Sequence, residues 1–314
     1  MGGSATQAGT GGAQAQAGSV TGGSNTQAGT GSGTSGSAAT AGASGSASGG
    51  AIGASGASGM SGSSSGGAAG AAGAGTAGTG GTVDPSKLDK FSFFVTSMAA
   101  MFRLSKSDKG FGGDLRYGTA DGLTGADKIC TEIAESSMAG SGAKQWHAFL
   151  STTKVNAKDR IGAGPWYDRT GRLVAMNLAG LLKERPDADA AIKNDLPNES
   201  GIGNHRPNPA GPEDDNHHIL TGSNAQGMLL SANNTCKDWT TTSTDNTNAG
   251  AGRPQTGYSW SVANRIHWVN GQIEGGCGAG ATGIGTVNGG SDPNNPIVGS
   301  GGGYGGIYCF AMVP

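Results

Sequence analysis

The densest run of side chains able to ligate a metal or move a proton is Glu213-Asp214-Asp215 followed closely by His217-His218. Carboxylates beside imidazoles can hold a cation or share acid–base work in a hydrolysis. Adjacent histidines on a strand point to opposite faces, so a single ion is not expected to take both, and a solvated loop is the favoured reading. Asp114, within Gly112-Gly113-Asp114-Leu115-Arg116, either offers oxygen to calcium or, as the plainer expectation, fixes its loop by accepting backbone amides. His147 and His267 stand beside Trp146 and Trp268 in apolar text and read as structural. Trp166-Tyr167 follows a Gly-Pro turn, and Tyr258 and Trp260 flank polar loop, so these four aromatics are either a recognition surface or core. The chain has no GxSxG elbow, HExxH, P-loop or GxGxxG between strand and helix. Binding without catalysis, cofactor or resident metal is therefore expected, with a hydrolase using the Glu213 to His218 cluster as one alternative and a structural coat or matrix protein as another.

Four cysteines, at positions 130, 236, 277 and 309, are even in number and far apart, with no CxxC pair. Structural zinc sites draw ligands in closely spaced pairs, which this spacing does not provide. Disulfides suit a domain with long loops and imply an oxidising compartment; buried reduced thiols are the alternative. The text from Met1 has neither the basic nor the apolar region of a signal peptide, so an extracellular or outer-surface location requires export by another route or a start further upstream.

The elements that must position these residues come from only part of the chain. Of 314 residues 63 are glycine, and residues 1–82 hold no charged, aromatic, histidine or cysteine side chain. Such a tract cannot bury enough surface to offset chain entropy of roughly 1–2 kcal/mol per residue, so 1–82 is expected to be a disordered low-complexity linker. Residues 83–314 carry all the core-forming and charged side chains and make one domain. A net charge of −2, with no basic cluster, argues against nucleic acid. The most apolar stretch, Phe91 to Phe102, is too short to span a bilayer and reads as buried strand, with Phe91 to Ser97 its clearest part.

Further along, Ser105 to Leu123 reads as a long exposed loop on its five glycines. A helix is expected from Thr124, as its cap, to Gly140, with Ile129, Cys130, Ile133 and Ala134 on one face and Asp127 completing a capping box. Trp146 to Ser151 and Gly306 to Met312 suggest strands, and Leu173 to Leu182 a strand and then a helical turn. Lys183 to Asn216, with five prolines, reads as a surface excursion. The fold class is therefore α+β with long loops and short strands.

The ordered set Gly125-Ala126-Asp127-x-x-Cys130, Ala148-Phe149-Leu150-Ser151, Arg160-Ile161, Asn177-Leu178, Thr221-Gly222-Ser223, Cys236-x-x-Trp239 and Tyr308-Cys309 resembles endostatin and its bacterial counterparts, including leptospiral endostatin-like surface lipoproteins. The resemblance covers roughly residues 91–314. It implies a C-type-lectin-like fold, the pairing of Cys130 with Cys309 and Cys236 with Cys277, and extracellular protein or glycan ligands for a monomeric head on a flexible tether. Two of that family's features are not carried over. Its N-terminal zinc histidines have no counterpart between Val83 and Gln145, and Arg103, Arg116, Arg160, Arg169 and Arg172 are scattered among acids and form no heparin-type patch.

Overall fold

A computed structural model describes residues 84–205, 216–261, 266–281 and 292–313. The tract 1–82, its boundary at 83 and the acidic run Glu213-Asp214-Asp215 lie outside the described residues. In chain order the main elements are β1 (Phe93–Val95), α1 (Met98–Ser105), α2 (Gly122–Ser137), β2 (Trp146–Ala148), β3 (Trp166–Tyr167), β4 (Leu173–Ala175), α3 (Leu178–Leu181), β5 (His218–Leu220), β6 (Gln255–Tyr258), β7 (Gln272–Ile273) and β8 (Gly303–Ala311). The class is α+β, as the alternation of short apolar runs with long polar loops predicts.

β8 is the spine of the main sheet, whose order is β1-β8-β5-β6-β7. Its nine residues are all buried. β1 pairs antiparallel along one edge, with Phe94 opposite Cys309. The other edge is divided between β5, parallel to its first half, and β2, antiparallel to its second. Phe93, Phe149, Trp166 and Trp268 gather around Phe310, with ring centres 5.0–6.3 Å from it. β3 and β4 form a separate two-stranded sheet.

α2 lays Ile129, Cys130, Ile133 and Ala134 against this core, the face expected from the sequence. Its start differs. The cap is Asp121, whose carboxylate accepts from the Thr124 amide (2.9 Å) and hydroxyl (2.7 Å), and the helix ends at Ser137. Asp127, relieved of capping, accepts the Ala148 amide (2.8 Å) and pairs with Arg160 (2.7 Å), fastening α2 to β2. Gly125 lets the helix approach the loop before it, since a Cβ there would lie 2.1 Å from the Leu115 carbonyl oxygen.

The Cys130–Cys309 disulfide joins α2 to β8, and Cys236–Cys277 joins two loops, each with Cα atoms 5.6 Å apart. Among the described residues no helix is long and apolar enough to cross a membrane. Three further expectations need correction. Phe91 to Phe102 is only partly strand, because Ser97 accepts the Ala100 amide (3.1 Å) and starts α1. The Ser105 to Leu123 loop buries Gly110, Gly112, Gly113 and Leu115. The Lys183 to Asn216 excursion inserts Arg185, Ile192, Leu196 and Asn204 into the interior over its described part. Leu173 to Leu182 does form a strand and then a helical turn.

Asp121 is held below the ordinary carboxylate range, chiefly by the Thr124 amide and hydroxyl. Asp121→Ala is expected to cost about 1 kcal/mol in urea unfolding at neutral pH. A folded-state pKa below the unfolded one gives stability that is present above the ordinary carboxylate range and lost as pH falls, so the wild-type advantage should vanish in acid. Thr124→Ala, which keeps the capping acceptor, should cost less.

Candidate functional site

β5 opens with His218, whose amide donates to the Gly302 carbonyl (2.9 Å). Its ring is sealed from solvent and its Nδ1 meets the equally buried Glu274 carboxylate. Glu274, just after β7, also accepts from the Gly301 amide (2.7 Å), the Ser300 hydroxyl (3.1 Å) and the Thr256 hydroxyl (3.3 Å). Gly301 is required for the approach, because a Cβ there would sit 2.7 Å from His218 Cε1. A buried charge is tolerated when paired and surrounded by donors, and this carboxylate has both.

His217 does not point away from His218. Both are buried, and their rings meet edge to face with centres 4.5 Å apart. The alternation that places neighbours on opposite faces holds within a regular ladder. His217 precedes β5, and the register against β8 shifts between His218 and Ile219. Tyr258 contacts both rings, at 5.3 and 4.9 Å. His205 stacks on Trp260 (3.7 Å, 11°), which lies 5.8 Å from His217. Three of the five histidines thus share one aromatic cluster. Among the described residues no group of three or more His, Cys, Asp or Glu side chains is placed to hold a metal.

The remaining histidines are bound to the backbone. His147 Nδ1 meets the Arg160 carbonyl (2.6 Å), and His267 Nδ1 accepts the Val269 and Asn270 amides (3.1 and 3.2 Å). Burial lowers the His267 pKa from its ordinary value.

The four aromatics considered as a recognition surface separate. Trp166 is 1% exposed and packs edge-on against Phe310, and Tyr258 is 2% exposed with its hydroxyl donating to Gln272 Oε1 (2.9 Å). Both are core residues, so of the two readings offered for them the packing one holds and the recognition-surface one does not. Tyr167 is half-buried beneath Lys90, whose Nζ lies 4.7 Å from the ring centre, and Trp260 is half-buried against His205. No ring contact joins these two among the described residues.

A different surface is assembled from the Ser105 to Leu123 loop. Phe111, Asp114, Arg116, Tyr117 and Thr242 line an open depression there. Phe111 and Tyr117 meet edge to face at 5.4 Å, and Lys128 lies over the Tyr117 ring at 4.6 Å. Asp114 binds the Arg116 guanidinium through both oxygens (2.9 and 2.5 Å) and accepts its amide (3.2 Å), so it fixes the loop as expected. That Arg116 contact holds the carboxyl below the ordinary carboxylate range. The loop is pinned from beneath, its Gly113 amide donating to the Cys277 carbonyl and its Leu115 amide to the Trp239 carbonyl, both at 2.9 Å. The sequence signal for this surface was Asp114-x-Arg116 flanked by Phe111 and Tyr117. Glycine content masked it as mere loop.

Glu274→Gln leaves His218 without its anionic partner and is expected to lower stability by about 3 kcal/mol in denaturant unfolding. Because His267 is held neutral in the fold, the unfolded chain takes up more protons below the ordinary histidine value of 6.5. Its contribution is present above that pH and lost as pH falls below it, so His267→Gln should flatten this part of the stability–pH curve. In comparison with known proteins, the chain matches no protein-family model and no curated protein sequence.

Proposed function

We propose that the chain is an extracellular or surface-tethered binding module that recognises an extracellular protein or glycan through the depression bounded by Phe111, Asp114, Arg116 and Tyr117. The observation that carries this reading is the pinned loop. Its backbone is tied to both partners of the Cys236–Cys277 region before any ligand arrives, which reduces the ordering cost of association. The lining joins two half-exposed rings to an exposed guanidinium held by a carboxylate. Aromatic faces and edges cover the apolar side of a sugar or peptide, and the planar Arg–Asp pair matches hydroxyl pairs or peptide groups. The depression is open to solvent, which suits a chain segment or sugar lying across it rather than a small molecule enclosed within.

The two disulfides support the oxidising compartment that this reading needs. The endostatin-like resemblance supplies the class of ligand. A hydrolase reading would rest on the His218–Glu274 pair, since a carboxylate-oriented imidazole is a competent base. His218 is sealed from solvent and, among the described residues, its Nε2 has no hydrogen-bonded hydroxyl to activate, so the binding reading is preferred.

The test is binding of the full chain to immobilised extracellular-matrix proteins and a glycan array. Saturable binding is expected to at least one of them, weakened about tenfold or more by Phe111→Ala and by Arg116→Ala with thermal stability kept. Binding indifferent to both substitutions, or no saturable binding, would overturn the assignment of this face.

A further inference from the structure

The depression beside Phe111 does not end at Tyr117. The Tyr117 hydroxyl donates to Glu132 Oε2 (2.8 Å), and Lys128 lies over the ring. Lys128, Glu132 and Ser136 follow one another at four-residue spacing on α2, so they share one face of that helix. Ser136 lines a second depression, of about 280 Å³, together with Ser97, Ala99, Arg103, Glu199 and Ser200. α1 borders both, with Ser105 at the first and Arg103 at the second. Burial raises the Tyr117 hydroxyl pKa and the nearby Arg103 charge opposes the rise, so Arg103 and Tyr117 stand where the two depressions meet.

The acceptors along this path are engaged and its donors are not. Asp114 holds the Arg116 guanidinium and amide, Glu132 the Tyr117 hydroxyl and the Lys128 ammonium (3.9 Å), and Glu199 the Ser97 amide (2.9 Å) and hydroxyl (2.5 Å). Arg103 is exposed, and among the described residues its guanidinium has neither a hydrogen bond nor an ion pair. Sugar hydroxyls are donors and need acceptors, whereas peptide carbonyls and carboxylates ask only for donors. Lys128 also covers a face of Tyr117 on which a sugar ring would stack. We propose that the two depressions are one groove and that it binds an extended acidic peptide segment. An apolar side chain packs on Phe111 and Tyr117, a carboxylate pairs with Arg103, and backbone carbonyls face the remaining donors. This assignment rests on the first depression being a binding face. Positions 128 to 136 span about 12 Å of helix, the length of about four extended residues, so the acidic residue lies within about four positions of the apolar one.

The full chain is panned against a displayed library of random heptapeptides and, separately, applied to a glycan array. Peptides carrying Asp or Glu close to an aromatic or aliphatic residue are expected to be enriched. A synthetic copy of the most enriched peptide should bind about tenfold or more weakly to Arg103→Glu at unchanged thermal stability, and changing its acidic residue to Lys should restore binding to that variant. Arg103→Gln, which removes the charge without reversing it, should give a smaller loss in the same direction. Enriched peptides without acidic residues, or acidic ones indifferent to Arg103→Glu, would overturn the inference. Saturable glycan binding that Phe111→Ala removes and Arg103→Glu leaves intact, with no peptide enriched, would overturn it while the binding face stands. Saturable binding to neither peptide nor glycan would overturn both.

Discussion

A nine-residue strand buried along its whole length must have every backbone polar group satisfied by neighbours, because water does not reach it, and β8 is such a strand. It meets the requirement by using both edges, with β1 on one and β5 and β2 in succession on the other. Its partners come from residues 93–95, 146–148 and 218–220, so the strand gathers distant parts of the chain. Cys309 lies where β1 and β2 both pair, and its disulfide to Cys130 adds α2 to the same point. In this way a chain with few aliphatic residues makes a defined core.

The rest of the domain is held as much by buried polar groups as by apolar ones. Arg185 donates to the carbonyls of Lys193, Tyr258, Ser259 and Ile266, tying the 183–205 excursion to β6. The Tyr304 hydroxyl meets the Thr96 carbonyl and accepts from Asn204 (2.9 Å). Glu274 gathers β5, β6 and the 300–301 turn. Each group has its partners, which turns a desolvation cost into directional restraint on loops that lack ladders. The same economy gives long loops fixed shapes, and fixed loops are what a recognition surface needs.

How much of this was legible depends on whether the signal is local. The α2 face could be read because 129, 130, 133 and 134 repeat with the helical period. Its start could not, because Asp121 and Thr124 are both competent caps and the choice follows from where the preceding loop packs. Trp166 and Tyr258 were ambiguous in type, and only their places beside Phe310 and the histidines assign them inward. The disulfide pairing came with the endostatin-like resemblance, not with cysteine spacing, and it is the pairing observed. Glu274 had no signal at all, since it stands alone in a glycine-rich stretch and meets His218 across 56 residues. The His217–His218 contact was misread because the alternation rule assumes a regular strand, and the register breaks at that point.

One strained segment links the disulfide to the proposed binding face. Cys236, Lys237, Asp238 and Trp239 all have positive φ, between 49° and 64°, a left-handed turn made without glycine. Such backbone costs about 1–2 kcal/mol per residue and persists only where surroundings over-determine it. Here Cys236 is bridged to Cys277, Asp238 accepts the Thr153 amide (2.8 Å) and hydroxyl (2.6 Å), and the buried Trp239 indole donates to the Ser151 carbonyl (2.8 Å). The turn directs the Trp239 carbonyl to the Leu115 amide, while Cys277 receives the Gly113 amide. A right-handed turn would direct that carbonyl elsewhere and leave Leu115 without its acceptor. The strain is thus located directly beneath Asp114 and Arg116, where it fixes the height and orientation of the loop that carries them.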